Sequence, residues 1–336
     1  MKQLIRNMFF VFAAVMMFCI LPSARVHAAT ESGWAGDVWW FHADKSGNMI
    51  IGWNTDPKKD MADFEDESEA PWANKSWFKD IRRITVKNNV KSIGDYAFAN
   101  SNVEEIMFDD ESICTEIGAH AFENCTSLKT ISFGQKPKLT WINEYAFTEC
   151  DALKSITFPS TLKKISKGAF QTSGLESVTI PRYCTSLGRD VFMQCRNLKK
   201  ISVNSKNKSL SAKSGVLFNK KKTKLIQYPA ARKGSTYTVP SSVTTITGYA
   251  FCGSEGLAIY PKVKTLKMSK KIKTIEENAF DFTDIQKIYF PRNRPTIKGG
   301  SMFDPDMTVK IYYKKARWPK KYRKKYGAKK VTWKRY

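Results

Sequence analysis

The stretch IGAHAFENCTSLKTISF, residues 117–133, decides the fold. It contains an Ala-Phe pair, a cysteine three residues after the phenylalanine, and the alternating run LKTISF. Residues spaced by two share one side of a β-strand, so this alternation predicts a strand with one buried face. The stretch leaves four roles open for Cys125: forming a bridge, binding a metal, reacting, or packing.

The same pattern repeats along the chain. The spacings between successive repeat phenylalanines are 24, 25, 23, 22, 59, 29 and 23 residues, and Phe218 is assigned to a unit inside the gap of 59. A unit of about two dozen residues cannot bury its own apolar side chains, so stacked copies over residues 81–313 are expected to form a solenoid. The repeat phenylalanines are Phe98, Phe122, Phe147, Phe170, Phe192, Phe251, Phe280 and Phe303.

Each unit contains an alternating run and then a second, shorter apolar pair, such as CTEIG or LTWIN. Equivalent runs are expected to align as a parallel sheet, with turns on the opposite side. Two buried columns follow from this alignment. They are Ile131, Ile156, Val178 and Ile201, and Phe133, Phe158, Ile180 and Val203.

The outward side of the same runs is the candidate partner-binding surface. It is rich in hydroxyl groups, which suit a solvated strand and equally suit a flat hydrogen-bonding face for a glycan or a protein. Both interpretations remain open from the sequence. The candidate residues are Thr130, Ser132, Ser155, Thr157, Ser177, Thr179, Lys200 and Ser202.

The cysteines occupy repeat positions that other units fill with different small residues. The position three residues after the repeat phenylalanine holds Ser101, Cys125, Cys150, Ser173, Cys195, Ser254 and Thr283. A bridging cysteine cannot alternate with serine in this way, so buried free thiols are predicted. The six cysteines after residue 28 form an even number, which leaves a disulfide as the alternative, and the absence of a CxxC pair disfavours a metal or redox role.

The chain begins with a segment typical of export. Lys2 and Arg6 precede the apolar run MFFVFAAVMMFCILP, and SARVHAA follows with small residues suited to cleavage after Ala28. We interpret residues 1–28 as a secretory signal peptide and expect a secreted or cell-surface protein without a transmembrane span after its removal.

The formal net charge of the 336-residue chain is +25. Residues 31–110 are acidic overall, whereas residues 301–336 hold 13 basic and 2 acidic residues. Such a field attracts anionic partners. The basic tail is therefore either a solvated cap or an attachment site for an anionic cell-wall polymer, and sequence-specific nucleic-acid recognition is disfavoured. The candidate polyanion contacts are Lys320, Lys321, Arg323, Lys324 and Lys325.

A solenoid exposes apolar surface at both ends unless it is capped. VWWFHA and NMIIGW, on either side of DKSGN, predict a hairpin at the N-terminal end. Capping is the favoured role of the tryptophans in this region, and a carbohydrate site is the alternative. They are Trp39, Trp40, Trp53, Trp72 and Trp77.

No catalytic pattern is evident. After residue 28 the only histidines are His42 and His120, which disfavours a histidine metal site and a Ser-His-Asp triad. DFEDESE lacks the glycine of a calcium loop and is interpreted as a solvated acidic loop. His120 occupies a turn position that holds a tyrosine in other units. We therefore expect a protein that is not an enzyme and has no cofactor.

The repeat IGxxAFxxCxxLxxIxFPxxLxxI resembles the leucine-rich repeat of bacterial surface proteins, the BspA-like class. INEYAFTECDALKSITFPSTLKKIS follows it closely, and SGVLFNKKKTKLIQYPAARKGSTYTVPSSVTTITGYAF resembles a longer unit inserted in such arrays. RDVF and GLAIYPKVKTLKM depart from the pattern. The resemblance implies an exported bacterial protein that binds host or microbial surface molecules.

The expected fold is thus α/β to mainly β. It is a leucine-rich repeat solenoid with a parallel sheet on one face, short or helical turns opposite, and a cap at each end. The expected segments are a signal peptide over 1–28, an aromatic-rich cap over 29–80, the solenoid over 81–300, and a terminal unit with a basic cap over 301–336. A binding role for an extracellular protein or glycan is favoured; a wall-associated structural protein and a polysaccharide-active enzyme are the alternatives.

Overall fold

The computed structural model describes residues 31–43, 46–52, 59–253, 261–291, 294–299, 301–303, 307–314 and 330–335. Helix is confined in these ranges to short 3₁₀ turns such as Phe78–Asp80. The strands are β1 (Glu31–Ala35), β2 (Val38–Ala43), β3 (Asn48–Ile51), β4 (Lys59–Asp60), β5 (Arg83–Val86), β6 (Val90–Ile93), β7 (Glu105–Phe108), β8 (Glu116–Ile117), β9 (Thr130–Ser132), β10 (Trp141–Ile142), β11 (Lys164–Ile165), β12 (Ser177–Ile180), β13 (Ser186–Leu187), β14 (Lys200–Val203), β15 (Leu210–Lys213), β16 (Val216–Asn219), β17 (Lys224–Gln227), β18 (Thr236–Thr238), β19 (Thr245–Ile246), β20 (Thr265–Lys267), β21 (Thr274–Ile275), β22 (Lys287–Phe290), β23 (Thr296–Ile297), β24 (Thr308–Tyr313) and β25 (Lys330–Arg335).

The strands stack into a β-solenoid of about ten turns. The alternating runs form a long-strand ladder in which Ile84, Ile106 and Ile131 pair in parallel register. The shorter apolar pairs form a short-strand ladder in which Ile117 pairs with Ile142 of the next coil. Each residue therefore lies beside its counterpart in the neighbouring coil, which confirms the predicted solenoid with its parallel sheet.

The Ala-Phe segments form turns, not helices. Most of these turns have two residues in the left-handed region, as at Tyr96 and Asn100 with φ of 54° and 63°. Turns of adjacent coils are joined by backbone hydrogen bonds, and the Phe98 amide donates to the Ala121 carbonyl at 2.8 Å. The prediction of short turns opposite the sheet is confirmed, and the helical alternative is wrong for these segments.

The repeat phenylalanines form a continuous buried column. The rings of Phe98, Phe122, Phe147 and Phe170 stack with centroids 5.3 Å apart and planes within 12° of parallel. All four side chains are completely buried. Burial of one such ring contributes roughly 1.5–3 kcal/mol, and an aromatic pair adds about 0.5–1.5 kcal/mol. The burial of each ring depends on the coil on either side of it.

The thiol position lies directly beside this column. The Cys125 and Cys150 thiols donate to the carbonyls of Phe98 and Phe122, one coil earlier, at 3.2 and 3.3 Å. Ser173 occupies the same position, and its hydroxyl lies 3.4 Å from the Cys195 sulfur. All six cysteines of the described ranges are buried and free. The packing role is confirmed, and the disulfide alternative is wrong for these residues.

The assignment of Phe218 to the repeat phenylalanine position is wrong. Tyr228 takes that position: its amide donates to the Ala250 carbonyl at 2.7 Å, and its ring stacks on Phe251 at 4.9 Å. Phe218 instead lies on β16, which pairs antiparallel with β15 and β17. The inserted residues therefore form a hairpin between coils, and the apolar character of Phe218 alone does not distinguish the two positions.

This hairpin divides the core. Leu217 belongs to the hydrophobic cluster of the preceding coils, whereas Val216 and Phe218 belong to that of the following coils. Alternate residues of a strand point to opposite sides, so β16 seals both clusters at once.

The long-strand ladder is also interrupted between β9 and β12. Residues 153–158 form no strand, and Ile156 is only partly buried, as is Ile131. Val178 pairs with Ile201 and Ile180 with Val203 further along. The predicted columns are thus not paired through Ile156 and Phe158, and Ile131, Ile156 and Val203 are only partly buried.

The N-terminal hairpin is confirmed by the antiparallel pairing of β2 with β3. The sequence did not predict β1, which adds a third strand to it. Trp72 is fully buried; its ring stacks on Phe98 with centroids 5.0 Å apart, and its indole nitrogen donates to the Ala97 carbonyl at 2.6 Å. Trp72 therefore continues the phenylalanine column beyond the first coil. Trp53 lies outside the described residues.

The buried thiols predict a defined pH dependence. Burial raises the pKa of Cys125 and Cys195 to about 12, from an ordinary value of 9.0. Between these values the thiol ionises in the unfolded chain but not in the folded one, so its contribution to stability is lost as pH rises. We expect the urea midpoint to fall with pH above about 9, and the native thiols to react slowly with an aromatic disulfide reagent at pH 8.

Serine substitution at the same position provides the matched control. A Cys125→Ser, Cys150→Ser, Cys195→Ser variant should fold, because Ser101 and Ser173 already occupy equivalent positions. Its urea midpoint should depend less on pH. Fast labelling of the native protein, or an unchanged pH dependence in the triple variant, would contradict the assignment.

Loss of the aromatic cap should destabilise the first coils. We expect Trp72→Ala to cost roughly 3–5 kcal/mol, because it exposes Phe98 and leaves the Ala97 carbonyl without its donor. Urea unfolding followed by circular dichroism measures this. Trp141→Ala is the matched control, since Trp141 is 46% exposed and its loss should cost less than about 1 kcal/mol. Similar midpoints for the two variants would contradict a capping role.

Candidate functional site

The outward side of the long-strand ladder, called here the strand face, contains the residues singled out in the sequence. Ser177 pairs with Lys200 and Thr179 with Ser202, which brings these four together in register. Ser155 and Thr157 are exposed but belong to the segment without a strand. Thr130 and Ser132 are exposed on β9. They pair with Glu105 and Met107 of the neighbouring strand β7.

Ser202 is half-buried because the β15–β16 hairpin packs beside β14. The Ile201 amide donates to the Gly215 carbonyl of the hairpin turn at 2.9 Å. The ladder of β12 and β14 ends at this point, as the strand order of the sheets shows. Six of the eight predicted residues therefore form two patches, and the other two, Ser155 and Thr157, lie on the segment without a strand between them.

Charges beside these patches are paired between coils. Arg83 donates to Glu105 across the strands at 2.7 Å, and Lys129 and Lys199 bind Glu104 and Glu176. The hydrogen bonds from the two lysines lower the pKa of the Glu104 and Glu176 carboxyls. Each exposed pair contributes little to stability, because solvent screens the attraction between its charges. Because these charges are paired, the first half of the strand face, from β5 to β14, presents mainly uncharged hydroxyl groups to a partner.

The strand face continues into the second half of the chain, where sequence reasoning assigned no site. Tyr289 pairs with Tyr312, and their rings stack 4.5 Å apart within 9° of parallel. Lys267 pairs with Tyr289 in one row, and Lys287 pairs with Lys310 in the other. The alternating runs VKTLKM, IQKIYF and VKIYY contain this signal, since their polar residues share one side of a strand.

The sequence analysis did not single out two exposed aromatic residues, Trp141 and Tyr183. Trp141, on the short-strand ladder, pairs with Glu116 and Lys164, and the Lys164 amino group lies 5.7 Å from its ring centroid. Tyr183 is 53% exposed beneath the Arg182 guanidinium. Exposed tryptophan and tyrosine are frequent in binding surfaces, so the short-strand ladder is a second surface to be tested.

The residues considered for chemistry have structural roles. His120, with φ of 56°, stacks between Tyr96 and Tyr145, and its Nδ1 atom lies 2.5 Å from a Glu123 carboxylate oxygen. The acidic loop is exposed, and Asp66 accepts two hydrogen bonds from Ser68. The described ranges contain no cluster of three His, Cys, Asp or Glu side chains with metal-binding geometry. They also contain no helix with the length and hydropathy needed to cross a bilayer.

The candidate polyanion contacts Lys320, Lys321, Arg323, Lys324 and Lys325 lie outside the described residues. The same is true of the segment 1–28 that the sequence analysis interprets as a signal peptide.

Stacked coils with parallel ladders, repeated Ala-Phe turns and a buried phenylalanine column define a leucine-rich repeat solenoid. The sequence profile of the BspA type leucine rich repeat region matches in six copies, over residues 74–138, 115–233 and 230–305. The chain belongs to this family. A search of curated proteins returns no match.

Solved structures of bacterial repeat proteins share the fold. A leucine-rich repeat protein from Eubacterium ventriosum is 23% identical with a TM-score of 0.64, covering 91% of this chain and 85% of that one. The pneumococcal vaccine antigen PcpA is 17% identical with a TM-score of 0.57, covering 86% and 94%. A leucine rich cell surface protein from Faecalibacterium prausnitzii is 17% identical with a TM-score of 0.50, covering 89% and 98%.

Proposed function

We propose that this protein is a secreted or cell-surface, non-catalytic binding module that recognises an extracellular protein through the first half of its strand face. The observation that carries the proposal is the arrangement of Ser177, Thr179 and Lys200 as exposed neighbours on a rigid parallel ladder. The two hydroxyl groups and the Lys200 ammonium group lie at the fixed spacing of the ladder without closing a pocket. Such a surface suits a partner of large area, since a repeat array presents an extended binding face.

The N-terminal unit and the tail fit the same role. Residues 29–80 act as the cap of the first coil, with Trp72 on the phenylalanine column in support. Residues 1–28 direct export, and residues 301–336 complete the array with a basic end. Export is supported by the family and by the description of one structural neighbour as a cell surface protein.

The two alternatives have less support. A wall-associated structural role depends on the tail lysines, which lie outside the described residues. A polysaccharide-cleaving enzyme would require acids and bases converging on the strand face. The strand-face acid Glu105 binds Arg83 instead, within the part of the chain that the structure describes.

The proposal is tested by placing a charge on the strand face. The purified protein is measured by biolayer interferometry against a panel of immobilised extracellular-matrix and serum proteins. For a partner that binds, Thr179→Arg should raise Kd at least about tenfold, because an unpaired charge at an interface centre is costly to desolvate.

Ser186→Arg is the matched control, since it adds the same charge to an exposed position on the short-strand ladder. Its Kd should stay within about twofold of the parent value. Weakening by Ser186→Arg or Trp141→Ala but not by Thr179→Arg would assign the interface to the other ladder. Absence of binding to every protein, with release of products from a polysaccharide, would replace the proposal with the enzymatic alternative.

A further inference from the structure

A cleft of about 980 Å³ opens beside the second half of the strand face. The turn of the β15–β16 hairpin contributes Lys213 and Ser214 to it. The ladder contributes the row Thr238, Lys267 and Tyr289, which pair across β18, β20 and β22. The inserted hairpin therefore converts a flat sheet surface into a groove, with a volume at the upper end of the range for ligand sites, about 300–1,000 Å³.

All the charged side chains that line this cleft, called here the basic cleft, are positively charged. Lys213, Arg232, Lys267 and Lys270 line it, and no aspartate or glutamate does. The three lysines are exposed, and none of them forms an ion pair with any described residue. In the first half of the strand face several charges are paired instead, as Arg83 is with Glu105 and Lys199 with Glu176. Unpaired cations lining a groove focus a positive potential that concentrates anions.

Arg232 is fixed in place by its surroundings. Its Nε atom donates to the Ser214 carbonyl at 2.9 Å, which ties the loop to the hairpin turn. The guanidinium carbon lies 5.4 Å from the Tyr228 ring centroid and 5.2 Å from that of Tyr237. A guanidinium held in this way loses little conformational freedom when it meets an anion.

The remaining lining favours a carbohydrate over a nucleic acid. Thr236, Thr238 and Ser241 supply exposed hydroxyl groups suited to sugar hydroxyls. Stacking of nucleotide bases requires open aromatic faces. Tyr237 is only 7% exposed, and one face of Tyr289 is covered by Tyr312.

We propose that the basic cleft binds an acidic polysaccharide, with its sulfate or carboxylate groups on Lys213, Lys267 and Lys270 and its sugar hydroxyls on the threonine and serine row. Lys287 and Lys310 extend the contact along the strand face, since neighbouring strands lie about 4.8 Å apart. The extracellular setting of this ligand rests on the proposed function, but the site is separate from the patch around Thr179.

Heparin octasaccharide is the probe, measured against the purified protein by isothermal titration calorimetry at several salt concentrations. Lys267→Gln with Lys270→Gln should raise Kd at least about tenfold and reduce its salt dependence. Lys138→Gln with Lys163→Gln is the matched control, because it removes the same charge from exposed positions in the first half of the chain. Its Kd should change less than about twofold. Thermal unfolding verifies that both variants remain folded.

Three results would overturn the proposal. They are equal weakening in both double variants, which would indicate attraction by net charge alone; tighter binding of an oligothymidylate of equal charge; and no binding of heparin. In each case a protein partner whose binding is weakened by Thr179→Arg would leave the proposed function intact. Conversely, heparin binding that depends on Lys267 and Lys270 without any protein partner would support the cleft and contradict the proposed function.

Discussion

Every coil of this protein depends on its neighbours for the burial of its apolar residues. The phenylalanine column shows the constraint directly, because Phe122 is buried only between Phe98 and Phe147. The adjoining thiols give a second hydrogen bond to carbonyls that already accept one from a backbone amide: Phe98 accepts from Ser101, and Phe122 from Cys125. The position is buried and holds a small side chain that can form a hydrogen bond, which is why serine and threonine can replace cysteine but a larger apolar residue is not expected.

The same constraint explains both the ends and the middle of the array. At the N-terminal end Trp72 substitutes for a missing coil. In the middle, β16 seals one hydrophobic cluster with Leu217 and the next with Val216 and Phe218. The same β15–β16 hairpin also forms one side of the cleft beside the strand face. The inserted β15–β16 hairpin therefore has two effects. It covers both hydrophobic clusters where the stack of coils is interrupted, and it forms the basic cleft.

The two halves of the strand face consequently differ in chemistry. In the first half, Glu105 and Arg83 pair across strands, and hydroxyl groups are the commonest exposed side-chain groups. In the second half, Lys267 and Tyr289 lie beside the hairpin turn without a carboxylate in the cleft lining. A single solenoid thus offers a nearly neutral surface and a cationic groove, which suit different classes of extracellular partner.

The sequence by itself determined the repeat, the strand alternation, and the packing role of Cys125, because each is a local pattern repeated at constant spacing. It did not determine that Tyr228, not Phe218, continues the aromatic column, since both are aromatic residues near apolar neighbours. Nor did it reveal the basic cleft, because Lys213 and Lys267 lie 54 positions apart in the chain. Only the tertiary structure places the hairpin against the sheet, and that docking depends on long-range pairing that no local period encodes.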